Sequence, residues 1–127
     1  MINIDRNIYP KIKLGKLYRI WKNYKLHLKK KEIEETFTTL VNQWREQNRG
    51  VSSTNQMCMH PAYQQIIGMG EPVIPLLLRE LEKKSGRWFW ALKSIARQDP
   101  VPPEYRGKTK EMTKAWLEWG KQRGYTW

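Results

Sequence analysis

The chain has 127 residues, 39% of them hydrophobic, and carries 24 Lys/Arg against 12 Asp/Glu for a net charge of +12 and a pI near 10.0. That length fits one domain able to bury roughly two-thirds of its unfolded surface, and the single cysteine, Cys58, excludes an intramolecular disulfide and fits a reducing, cytoplasmic compartment. No apolar run approaches the roughly 18 residues of a membrane span, and basic residues break the N-terminal stretch too often for a signal peptide, so neither is expected.

The charge is unevenly placed. Residues 1–31 hold ten Lys/Arg and one acid, Asp5, a net +9, whereas the other 96 residues hold fourteen Lys/Arg and eleven Asp/Glu, a net +3. The chain therefore divides into a basic N-terminal arm, 1–31, and a nearly balanced body, 32–127. An asymmetry of this kind points to a polyanionic partner for the arm.

Residues 1–13, with Pro10 and no helical period, read as an extended or loosely ordered lead-in. From Leu14 the apolar positions Leu14, Leu17, Trp21, Tyr24 and Leu28 step by 3, 4, 3, 4, which predicts an amphipathic helix with lysines and arginines around the rest. A second helix is predicted from about Lys31 to Gln47, with Ile33, Phe37, Leu40, Val41 and Trp44 inward. Glu32, Glu34 and Glu35 fall in its first turn, where acids suit the helix dipole. The polar stretch Arg49–Gln56, "RGVSSTNQ", reads as a loop.

Residues 60–81, "HPAYQQIIGMGEPVIPLLLREL", place three prolines and two glycines in apolar text. The breakers read as punctuation between short helices. Pro61 suits the first position of a helix with Tyr63, Ile66 and Ile67 inward, and Gly68 or Gly70 ends it through a left-handed cap. Pro72 starts the next helix, Pro75 still lies within the first turn, and Val73, Ile74, Leu77, Leu78 and Leu81 form its buried stripe. "SGR" turns the chain into "WFWALKSIAR", a helix with Trp88, Ala91, Leu92 and Ile95 on one face. After the proline-rich connection "RQDPVPPEYRGK", a last helix covers about Thr109–Lys121 with Met112, Ala115, Trp116 and Trp119 inward. The fold class is thus all-α, a compact domain of five or six helices with a basic N-terminal helix.

Over about residues 61–98, the order of helix, "GMGEPVIPLLLREL", short polar turn and a helix ending in "ALKSIA" resembles a HEAT-like helical hairpin. No second copy of the unit is present, so the resemblance implies a single helical domain rather than a solenoid. The run from "MHPAYQQIIGMG" through "WFWAL" to "AWLEWG" also resembles a recurring type of small bacterial protein, a likeness that brings no activity with it.

Chemistry-bearing motifs are sparse. Cys58 and His60 in "MCMHP" are the candidates for thiol catalysis or metal binding, but a zinc site wants about four ligands and the chain has one Cys and two His. They read as a small buried residue and a polar residue before a helix. Gly68-Met69-Gly70 lacks the spacing of a phosphate loop, and no serine triad or acid pair is visible. The sequence therefore predicts no enzyme, no catalytic residue, no metal and no cofactor.

Two roles remain, both non-enzymatic. In the first, the protein is a nucleic-acid-binding accessory subunit of a larger complex. Its arm contacts phosphates through Lys16, Arg19, Lys22, Lys25, Lys29, Lys30 and Lys31, and Tyr18 or Tyr24 stack on bases; DNA and RNA are not distinguished. In the second it is a protein-interaction adaptor, antitoxin-like, immunity-like or a complex-assembly subunit, whose arm clamps an acidic surface. There Trp90, about 200° around the helix from inward Trp88, and Trp127 at the chain's end serve as anchors. Trp127 is expected to be either disordered or docked on a partner. No membrane is expected as a partner in either role.

Overall fold

The structure, a computed structural model, describes residues 14–84 and 87–127. Among them there is no strand, and six α-helices follow one another: α1 Leu14–Gln47, α2 Thr54–Met59, α3 Pro61–Gly68, α4 Ile74–Lys83, α5 Phe89–Ala96 and α6 Thr109–Gln122. Short 3-10 turns occupy Glu71–Val73 and Pro103–Tyr105. The predicted lead-in at 1–13 and the start of the "SGR" turn lie outside the described residues. The chain divides into two compact units between Ile33 and Glu34.

The first correction concerns α1, predicted as two helices and found as one of 34 residues. Its apolar positions change phase. On an ideal helix the Leu14–Leu28 stripe and the Ile33–Trp44 stripe lie roughly 160° apart, which makes them look like separate elements. The joint "LKKKEIEE" holds only residues that sit comfortably in a helix and no Gly or Pro, so the backbone runs through it. Glu32, Glu34 and Glu35 consequently lie mid-helix, not in a first turn. Glu34 accepts from Arg79 Nη1 at 2.7 Å instead.

In the body, Phe37, Leu40, Val41 and Trp44 are the buried face of α1. Trp44, Tyr63 and Trp88 form the centre of the core, with Tyr63 and Trp88 stacked at 5.2 Å and Trp44 and Trp88 tilted at 4.8 Å. Trp44 satisfies its buried indole N–H by donating to the Met57 carbonyl at 2.8 Å. Leu77, Leu78 and Leu81 of α4 are buried completely or nearly so, each contributing about 1.5–3 kcal/mol of hydrophobic stabilisation. α4 packs on both α5 and α6, and α3 packs on α5.

Part of the segment read as a loop is helical. Ser53 caps α2, its Oγ accepting the Gln56 N–H at 3.4 Å. Pro61 does open α3. The chain then turns at Gly70, φ 77° and ψ −156°, a mirror-extended conformation available to glycine rather than the left-handed helical cap expected. Pro72 lies in a 3-10 turn, and Pro75 occupies the second position of α4, where it removes no intrahelical bond. Trp88 sits one residue before α5 and is buried all the same.

The end of the chain folds back on the body. Gly120 of α6 is required by a close approach, since a Cβ there would lie 2.6 Å from Leu78 Cδ1 and 3.1 Å from the Trp127 ring. Trp127 donates its indole N–H to Glu82, and Tyr125 donates its hydroxyl to Glu71 Oε1 at 2.9 Å. The Trp127 ring is seated, half-buried, against its own domain.

Candidate functional site

On the arm, Lys16, Arg19, Lys22, Lys25, Lys29, Lys30 and Lys31 are all exposed along the first half of α1, and among the described residues none is in an ion pair. An α-helix carries them at a rise of about 1.5 Å per residue, so the seven cations, spread around the helix, occupy a little over 20 Å of its length, roughly the length of several phosphates. Tyr18 is 60% exposed, Trp21 53% and Tyr24 61%. Tyr18 and Trp21 stand 6.2 Å apart and tilted, and Lys25 Nζ rests 4.5 Å from the Trp21 ring centre. That cation–π contact covers one face of the indole, leaving Tyr18 and Tyr24 as the aromatics without such a cover.

The second candidate was not legible in the sequence. In the body, α2, the start of α5, the loop before α6 and α6 itself enclose an open groove of ≈ 570 Å³. Its apolar lining is Met59, Phe89, Trp90, Met112 and Trp116, together with Cys58. Arg87, Lys93 and Arg106 stand around it with one acid, Asp99, which Lys93 Nζ approaches at 3.9 Å. Arg87 donates to Thr54 Oγ1 at 3.2 Å, and among the described residues Arg106 has no ion-pair partner. Trp90, 55% exposed, stands at its edge, as its angular offset from buried Trp88 predicts. The groove's residues come from four segments spread over some 60 positions, so no local pattern announces them.

Cys58 and His60 are accounted for structurally. The His60 ring accepts the Ala62 N–H on Nδ1 at 3.1 Å, capping α3, and Nε2 faces Gln47 Oε1 at 2.7 Å. With Nδ1 accepting, Nε2 carries the proton, and both nitrogens are engaged. Cys58 is buried, and burial pushes its thiol above the ordinary value, only partly offset by its surroundings, the charge of Arg87 among them. A raised pKa is the reverse of what a thiolate nucleophile needs. Among the described residues no three His, Cys, Asp or Glu side chains gather as a metal site, and no helix is long and apolar enough to cross a membrane.

No protein-family model, no curated protein and no solved structure matches the chain.

Proposed function

We propose that the protein is a non-enzymatic nucleic-acid-binding accessory subunit that grips phosphate backbones with its arm. The supporting observation is the cluster of seven exposed cations around one continuous helix, interleaved with exposed Tyr18 and Tyr24. Neutralised phosphates release counterions, and the exposed aromatics offer faces on which unpaired bases stack. The contacts are to backbone and to base faces, with no reader of base edges, so binding is tolerant of sequence. In this reading the body docks the arm's cargo onto a larger complex, the HEAT-like character of α3–α5 supplying the scaffold, and the protein works in the reducing cytoplasm.

The test is fluorescence anisotropy with labelled single- and double-stranded DNA and RNA, at about 50 and 200 mM salt. Lys16, Arg19, Lys22 and Lys29 changed together to Gln should reduce affinity at low salt. The slope of log K against log salt should flatten by up to about 0.9 for each duplex-DNA phosphate that the variant no longer neutralises. Binding that ignores salt, or that survives the four substitutions, refutes the proposal.

A second reading, a protein-interaction adaptor, is favoured by one specific observation: Trp90 stands exposed beside an apolar groove ringed by Arg87, Lys93 and Arg106. Such an arrangement suits an acidic partner with an apolar anchor. Loss of a co-purifying partner on Trp90→Ala, with nucleic-acid affinity unchanged, would favour this reading over the first.

A further inference from the structure

The exposed large apolar side chains of this protein are concentrated on one stretch. Leu14, Leu17, Tyr18, Ile20, Trp21, Tyr24, Leu26 and Leu28 are all exposed, Leu14 by 73%. Eight such residues within fifteen positions of one helix need a cover, because soluble surfaces rarely leave apolar side chains so densely exposed.

The spacing says what kind of cover fits. Leu14, Leu17, Trp21, Tyr24 and Leu28 step by 3, 4, 3, 4, which is the a and d pattern of a heptad over two repeats. At 100° per residue the stripe is only about 80° wide. A strict a/d stripe of this kind is the seam along which one helix packs on another. Tyr18 and Ile20, 60% and 56% exposed, flank the seam at e and g and widen the apolar arc to about 160°. Leu26, at f, lies on the far side and takes no part.

The charges say which helix. In this register Lys16, Arg19, Lys22, Lys29 and Lys30 fall at b, c and f, away from the seam, and Lys31, at the next d position, ends it. The flanking e and g positions are Tyr18, Lys25, Ile20 and His27, with a single fixed cation among them. Identical arms therefore meet without a ladder of like charges, the usual bar to self-pairing. Trp21, at an a position, is the midpoint of the stripe and meets its own counterpart when the arms run parallel. The exposed parts of Tyr18, Trp21 and Tyr24 on two copies offer roughly 700 Å² from ordinary aromatic areas. The leucines and Ile20 carry the total towards the roughly 1,200 Å² at which stable interfaces begin.

We propose that the stripe is a self-association seam: a second copy of this chain covers it, the two arms pairing over Leu14–Leu28 as a short two-stranded coil with Lys16, Arg19, Lys22, Lys29 and Lys30 outward. This goes beyond phosphate binding: pairing covers Tyr18 and Tyr24, so a paired arm meets nucleic acid through phosphates alone, and the pairing holds whether or not nucleic acid is present. It also has the opposite salt dependence. Pairing brings two +9 arms together, so salt that screens their repulsion strengthens the dimer, while the same salt weakens a phosphate grip.

The test is sedimentation equilibrium of the full, nuclease-treated chain over a micromolar concentration series at low, intermediate and high salt. The expected result is a shift from the 15.3 kDa monomer to twice that mass, with the dimer fraction rising with salt. Trp21→Lys and Leu17→Lys should each weaken dimerisation at least tenfold, while Trp21→Leu and the f-position change Arg19→Gln retain it. Helix content and melting temperature, recorded on each variant, separate loss of pairing from loss of folding. A chain that stays monomeric under all conditions overturns the proposal. So does a dimer indifferent to Trp21→Lys, or one that weakens as salt rises.

Discussion

Replacing Tyr63 by Phe removes one oxygen atom and tests whether a helix is capped from a distance. α5 begins at Phe89 with no side-chain cap at its own start, although the first four N–H groups of any helix lack intrahelical partners. Tyr63, fully buried in α3, supplies the missing acceptor: its hydroxyl takes the buried Ala91 N–H at 3.0 Å and donates to the Arg87 carbonyl at 2.7 Å. Tyr63→Phe keeps the ring and its stack on Trp88 but orphans a buried donor, which costs about 1–3 kcal/mol. The Arg87 carbonyl is only part-buried and regains water, so a total near 2 kcal/mol is expected. For a domain of the size of Glu34–Trp127 that corresponds to a fall in Tm of roughly 8–16 °C. Thermal and urea melts followed by circular dichroism measure it, and an unchanged m-value would show that the unfolding transition itself is the same. A loss below about 0.5 kcal/mol, the ordinary scatter of surface substitutions, would refute the capping role of Tyr63.

Two further perturbations follow from the same geometry. Gly70→Ala meets no atom within 4 Å but must adopt φ 77° and ψ −156°; a purely conformational cost of about 1–3 kcal/mol is expected in urea denaturation, and an unchanged midpoint would show that the turn relaxes. Burial raises the pKa of Cys58 above 9.0 and that of Tyr63 above 10.0, so both favour the protonated folded state. Their contribution is complete below those ordinary values and declines as pH rises past them. Stability should therefore be flat near neutrality and fall from about pH 9 upward, more steeply beyond 10. Cys58→Ala should remove the earlier part of the fall and Tyr63→Phe most of the later, Tyr125, raised by burial and by Glu71, supplying the rest; a profile that both variants leave unchanged would place the alkaline transition elsewhere.

The all-α architecture was legible because the signals that specify it are local. Pro61 at a helix start, Gly70 at a turn and the spacing of Leu77, Leu78 and Leu81 each act within one or two helical turns. Errors arose where local signals conflict. A change of stripe phase near Lys31 looked like a break in α1, but a helix ends only where its backbone is interrupted, and nothing there interrupts it. "RGVSSTNQ" looked uniformly polar, yet Ser53 is a helix cap. Polarity does not separate a loop from the start of a helix that caps itself with serine.

By itself the sequence determined the all-α class, the helices from α3 to α6, the uneven charge, the basic arm and the outward position of Trp90, since periodicity and composition need no knowledge of neighbours. Only the tertiary structure decided which side chains from distant segments share a surface. It brought Arg87, Lys93 and Arg106 around one apolar groove, seated Trp127 against Gly120, and gave Ala91 its cap from Tyr63. These arrangements depend on how α2 to α6 pack, which is set by burial summed over the whole core. A hydrogen bond spanning 28 positions leaves no periodic trace in the residues that make it.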